Sequence, residues 1–105
     1  MIINNDNYIL NDNYFKILRV AEDFIEFQSK NTGHCWIIQE MQMGQYSYRL
    51  YHKHTLNTKY YHIHWHTYRF RDAVKSIKSH DEYVLNTNHQ SKSQRELKQN
   101  RSVIA

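Results

Sequence analysis

Residues 60–68 read Tyr60-Tyr61-His62-Ile63-His64-Trp65-His66-Thr67-Tyr68, and these types at this spacing suit three kinds of chemistry. Side chains alternate across an extended strand. His62, His64 and His66 therefore fall on one side with Tyr60 and Tyr68, and Tyr61, Ile63, Trp65 and Thr67 on the other. Two histidines one residue apart point both imidazoles the same way, a common means of holding zinc. The same row can carry protons near neutral pH and meet a polyanion. Tyrosines beside it can stack on nucleic-acid bases.

A metal site needs further convergent ligands. His52 and His54 lie close in sequence, but the histidine side carries no obvious carboxylate, and His34 and Cys35 point to opposite faces if extended. No metal ligand and no cofactor is therefore assigned, and a histidine face without an ion is the simpler reading. Cys35, in a strand between His34 and Trp36, reads as a small buried hydrophobe rather than a nucleophile.

Elements that could position such a face follow from hydrophobic period and turn residues. Strands are expected at Phe15–Val20, Phe24–Gln28, His34–Gln39, Tyr46–Lys53 and Tyr60–Thr67, with Gly33 supplying a positive φ between the second and third. With Thr55–Thr58 as the loop of the last hairpin, Leu50 faces Ile63 and Tyr48 faces Trp65. That register collects Tyr46, Tyr48, Leu50, Tyr61, Ile63 and Trp65 on a core face. It collects Arg49, Tyr51, Lys53, Tyr60, His62, His64 and His66 on an open one. From Arg69 the period changes to that of a helix, with Phe70, Ala73, Val74 and Ile77 inward and Arg71, Lys75 and Lys78 on another stripe. Thr67 is the expected N-cap. The helix is expected to stop near His80-Asp81, with Tyr83-Val84-Leu85 packing back or adding an edge strand.

The fold class predicted is α+β: an antiparallel β-meander of about five strands, followed by one C-terminal helix packed on one sheet face. Residues 1–13 read as a loose arm, 14–85 as a single α+β domain and 86–105 as a basic disordered tail. The single cysteine rules out an internal disulfide, and no apolar run approaches the ~18 residues needed to span a bilayer. A cytoplasmic protein without membrane contact is expected. Charge is segregated: residues 1–44 carry −3 and residues 45–78 carry +6, which suggests a polyanionic partner for the middle of the chain. Histidines on that basic face should titrate near neutrality, strengthening polyanion binding as pH falls.

Three resemblances add to this. The strand order followed by Tyr68-Arg69-Phe70-Arg71-Asp72-Ala73-Val74 resembles the three-stranded sheet plus helix of AP2-type and integrase arm-type DNA-binding domains, over about residues 34–80. It implies a sheet that contacts DNA. His62-Ile63-His64 is similar to the histidine-hydrophobic-histidine motif of HUH single-strand endonucleases, which implies a metal and a helix-borne tyrosine. Here Tyr68 precedes the predicted helix and Tyr83 follows it. The Asn-, Tyr- and His-rich chain also resembles accessory proteins of phages and mobile elements in low-GC Gram-positive bacteria, anti-CRISPR inhibitors among them.

The expectation is a non-enzymatic binding module that engages nucleic acid or a nucleoprotein complex in the host bacterial cytoplasm. In its most specific form it inhibits a host defence nuclease, the partner then being a CRISPR effector. The expected contact residues are Arg49, Tyr51, Lys53, Tyr60, His62, His64, His66, Arg71, Lys75 and Lys78.

Overall fold

A computed structural model describes residues 13–42, 44 and 46–104, with side chains as far as Thr87. The N-terminal arm, apart from Asn13, lies outside the described residues. Five strands run as β1 (Phe15–Val20), β2 (Phe24–Ser29), β3 (Cys35–Glu40), β4 (Tyr48–Lys53) and β5 (His62–Thr67), and helix α1 spans Phe70–Ile104. The strands form one antiparallel sheet in sequence order, with β1 and β5 as its edges. The α+β meander with a C-terminal helix on the sheet is the architecture expected.

Alternation in β2 and β3 explains the core. Ile25 pairs with Ile38 and Phe27 with Trp36, and all four are fully buried. Phe15 meets Phe27 edge to face at 4.9 Å. Onto this surface α1 lays Phe70, Ala73, Val74 and Ile77, which join Leu50 to close the core. The β2–β3 turn needs Gly33 at φ +78°, where an L side chain is strained. Its N–H donates to Ser29 O at 2.8 Å, and the Ser29 N–H donates to His34 O at 2.9 Å.

The helix begins later and ends later than expected. Thr67 is the last residue of β5, and its hydroxyl donates to Arg69 O at 3.0 Å instead of capping the first turn. The Arg69 carbonyl is the first acceptor, taking the Asp72 and Ala73 N–H groups at 3.1 and 3.4 Å. No break occurs at His80-Asp81: residues 83–85, expected to pack back or form an edge strand, are helical, and helical backbone continues where a period-free tail was expected. The inward stripe runs on past Ile77 through Asp81, which is fully buried, and half-buried Val84. An apolar pattern stops at Ile77 because the next inward positions are polar.

The last hairpin corrects the predicted register. Tyr48 pairs with Thr67, Arg49 with His66 and Leu50 with Trp65, and then the ladder shifts, with Tyr51 facing Ile63 and His52 facing His62. His64 is the extra residue of a bulge, and a bulge breaks strict alternation. His62 consequently shares the helix-covered side with His52, while Ile63 joins Tyr51 on the open side. Ile63 and Trp65 are exposed, not core.

Core and open faces should separate in mutational cost. Ile38→Ala, at a fully buried site, should destabilise by about 2–5 kcal/mol. Ile37→Ala, half-buried on the open face, should cost below about 1 kcal/mol. Urea unfolding of the two variants checks this.

Candidate functional site

Four elements bring histidines together at one end of the sheet. His34 closes the β2–β3 turn, His52 lies in β4, His62 and His64 in β5, and His80 in α1; His54 follows β4. The buried indole of Trp36 is their floor. It stacks on His52 at 4.1 Å, meets His64 at 5.3 Å and His80 at 5.4 Å, and donates its Nε1–H to Ser29 Oγ at 3.1 Å. His34 Nδ1 and His52 Nε2 lie 2.8 Å apart, so one of them donates to the other. The His80 ring is 4.7 Å from His52 and 5.0 Å from His64, and His54 stacks on His34 at 5.0 Å. Beside His80, the buried Asp81 carboxylate accepts from the Tyr14 hydroxyl at 2.8 Å and from Thr32 Oγ1 at 3.0 Å.

Two sets could hold a metal ion: His34, His52 and His80, and His52, His62 and His64, each with ligand atoms within 4.8 Å of one another. His80 Nδ1 is buried and has no hydrogen-bond partner among the described residues. Beside the cluster lies an open groove of about 440 Å³ whose lining includes His34, His54, His80 and Tyr83.

Burial works against a positive charge on four of these imidazoles, His34, His52, His64 and His80. Burial, reinforced by repulsion from His34, His80, His64 and His54, lowers the His52 pKa to about 3. His34, His64 and His80 are also lowered, each chiefly by burial, although Asp81 pulls His34 and His80 the other way. The expectation that these histidines form a titrating basic face is thereby corrected for His64: it belongs to a packed, uncharged cluster.

The predicted contact residues do not make one surface. Arg49, Tyr51 and Lys53 lie on the open face with His66, the cross-strand partner of Arg49, and opposite His52, His62 and His64. There Arg49 Nη1 donates to the Tyr51 hydroxyl at 3.4 Å, and Tyr51 donates to Gln39 Oε1 at 3.0 Å. Lys53 is buried, its ammonium 4.7 Å from the centre of the Tyr61 ring and donating to Leu56 O at 3.3 Å. Tyr61 in turn donates to Glu26 Oε2 at 2.7 Å, and its phenol pKa is raised by burial and by that bond. Tyr60 is exposed with Lys59 over its ring. Arg71 and Lys75 are exposed on α1, whereas Lys78 packs over Tyr14 and Phe15 at the β1 edge, across the sheet from β5.

A second cluster, missed in sequence, lies along the β5 edge. Tyr46 stacks on His66 at 5.4 Å and meets Tyr68 at 4.9 Å. With Trp65, Thr67 and Asp72 they line a groove of about 430 Å³. The residue types were visible, but period-2 alternation placed Tyr46 and Trp65 in the core. Sequence reasoning also passed over His80 and Asp81, whose only signal was their spacing of three and four from Ile77.

Lowered histidine pKa values link stability to pH. The unfolded chain titrates His52 near 6.5 and the folded protein near 3, so the unfolded state alone binds this proton in between. Stability is therefore complete above about pH 6.5 and is lost as pH falls, by about 1.4 kcal/mol per pH unit for His52 alone. Urea midpoints at a series of pH values from neutral to mildly acidic check this; a flat series is inconsistent with a buried neutral cluster. No protein-family model matches this sequence, and no curated protein or solved structure matches it either.

Proposed function

We propose that this chain is a non-enzymatic binding module that takes single-stranded nucleic acid, free or within a nucleoprotein complex, on the aromatic edge of β5. The observation that carries this reading is the exposure of Trp65 and Tyr68, at 61% and 58%, beside Tyr46 and His66 in one groove. Exposed rings that cluster in one groove, rather than standing singly, mark an interaction surface. Every base has a π-face, so stacking on such rings tolerates any sequence. The edge belongs to the segment that carries +6, and exposed Arg69 directly follows Tyr68, its Nε 3.7 Å from the Asp72 carboxylate that also lines the groove. On the open face, Arg49 and Lys53 contact neighbouring side chains and backbone, with Arg49 Nε buried and without a hydrogen-bond partner among the described residues, so the exposed rings are what set the edge apart. The contact is therefore assigned to the edge rather than to the sheet face that the AP2-type resemblance implies. In its most specific form, the reading makes the chain a phage or mobile-element inhibitor, of anti-CRISPR type, that occupies nucleic acid held by a host defence nuclease.

The two tryptophans give a direct readout, because Trp36 is fully buried and Trp65 is not. Single-stranded DNA or RNA should quench the Trp65 emission, and anisotropy of labelled oligonucleotides should report affinity that falls steeply with salt. Trp65→Ala should weaken binding by about 10–100-fold, as loss of one base stack implies. Absence of binding at low salt overturns direct recognition and leaves a protein surface of the effector as the partner.

One observation favours a second reading, metal-dependent single-strand cleavage as implied by the HUH resemblance. Tyr83 lies within α1 and lines the same groove as His34, His54 and His80. That reading predicts metal-dependent nicking of single strands that is abolished by Tyr83→Phe; nicking that survives the change discards it.

A further inference from the structure

We propose that His34, His52 and His80 form a binding site for a transition-metal dication, with zinc the ion that fits, independent of the aromatic edge. Three elements far apart in sequence converge here, the β2–β3 turn, β4 and α1, and their ligand nitrogens already lie within 4.8 Å of one another. In a tetrahedral zinc site with Zn–N bonds of about 2.0–2.1 Å, nitrogens sit about 3.3 Å apart. Side-chain rotations of about an ångström close that gap. An all-imidazole set suits zinc, copper or nickel, and disfavours magnesium and calcium, which take oxygen ligands.

Three further features of the cluster point to an ion. The 2.8 Å contact between His34 Nδ1 and His52 Nε2 places two ligand atoms side by side. With both rings neutral, the proton between them needs only to move to the other nitrogen of the donor ring, and both lone pairs then face the metal with no net proton lost. Among the described residues His80 Nδ1 is buried without a hydrogen-bond partner, an arrangement that is costly unless something completes it. Asp81, adjacent to His80 and fixed by Tyr14 and Thr32, supplies a buried negative charge near the dication.

The groove beside the cluster provides access from solvent, and His54, stacked on His34, or a water completes the coordination. The alternative set of His52, His62 and His64 shares His52. The first set is preferred because the unsatisfied His80 nitrogen and the Asp81 charge both adjoin it.

The test uses the untagged full-length chain, stripped with EDTA and then titrated with zinc by calorimetry and with cobalt by visible absorption. The expected result is one zinc per chain at micromolar affinity or tighter, and cobalt bands of tetrahedral intensity. His52→Gln and His80→Gln should each weaken zinc binding at least ~10-fold, the scale seen even for outer-shell losses. Long-range proton–nitrogen NMR of the unmutated protein reads the same point without relying on a variant's folding: zinc should shift His34 Nδ1 and His52 Nε2. Absence of saturable binding overturns the proposal. So does zinc that leaves those two nitrogens unshifted, or that binds folded His52→Gln and His80→Gln as tightly as the parent chain.

Discussion

The stack of His52 on the Trp36 indole is the contact on which the rest of the structure depends. Trp36 is the largest fully buried side chain, and with Phe27 it forms the centre of the sheet's inner face. Burying it there requires a partner for its N–H, supplied by Ser29, and a flat surface against its ring, supplied by His52. His52 then carries its own requirement. A buried imidazole must satisfy its polar nitrogens, which brings in His34. Covering both needs α1 to continue past Ile77, and the residues it places there are His80 and Asp81. Asp81 in turn draws Tyr14 and Thr32 onto the same end. A polar cluster at one end of an otherwise apolar core therefore follows stepwise from one buried indole.

The bulge at His64 is the second constraint. Without it, β5 would continue the alternation begun at His62, and Trp65 would fall on the open face. With it, His64 reaches Trp36 and His80, and Trp65 pairs with Leu50 at the rim of the helix-covered side. The same irregularity thus completes the histidine cluster at the His52–His62 end and sets up the aromatic groove at the Tyr48–Thr67 end. Four residues of β4 separate the two, about 13 Å at the rise of a strand.

What could be read from sequence tracks how regular each element is. The five strands, the Gly33 turn and the Phe70–Ile77 stripe all follow simple periods and turn chemistry, and each is present in the structure. The hairpin faces were not readable, because alternation has no mark for an inserted residue: a sequence of His, Ile, His, Trp and His looks equally regular with or without a bulge. The helix end was misread for a related reason. Burial of His80 and Asp81 depends on partners from the β2–β3 turn and from Tyr14, which no local pattern reveals. The candidate site was half visible, since the histidines were singled out as a group but placed in water. Burial lowers the proton affinity of His64 and of its neighbours His34, His52 and His80, whereas His62 stays exposed and His66 belongs to the aromatic edge.

The open face and the β5 edge differ in which side chains they leave exposed, and this decides between them as contact surfaces. On the open face, Arg19 meets Glu26, Glu26 accepts from Tyr61, Lys53 lies over Tyr61, and Tyr51 links Arg49 to Gln39. A ligand there would have to break existing contacts before making its own. The edge strand has a different character. An edge normally invites another strand through its free backbone groups, and a bulge is one of the devices that discourage it. Here the bulge interrupts the β5 ladder midway, so a peptide could not extend the sheet in register along its length. What remains available at this edge is the faces of its rings. Ligands with flat π-systems and a charged backbone can use such faces directly, whereas an added strand cannot, and this favours a stacking partner for Trp65 and Tyr68 over β-augmentation.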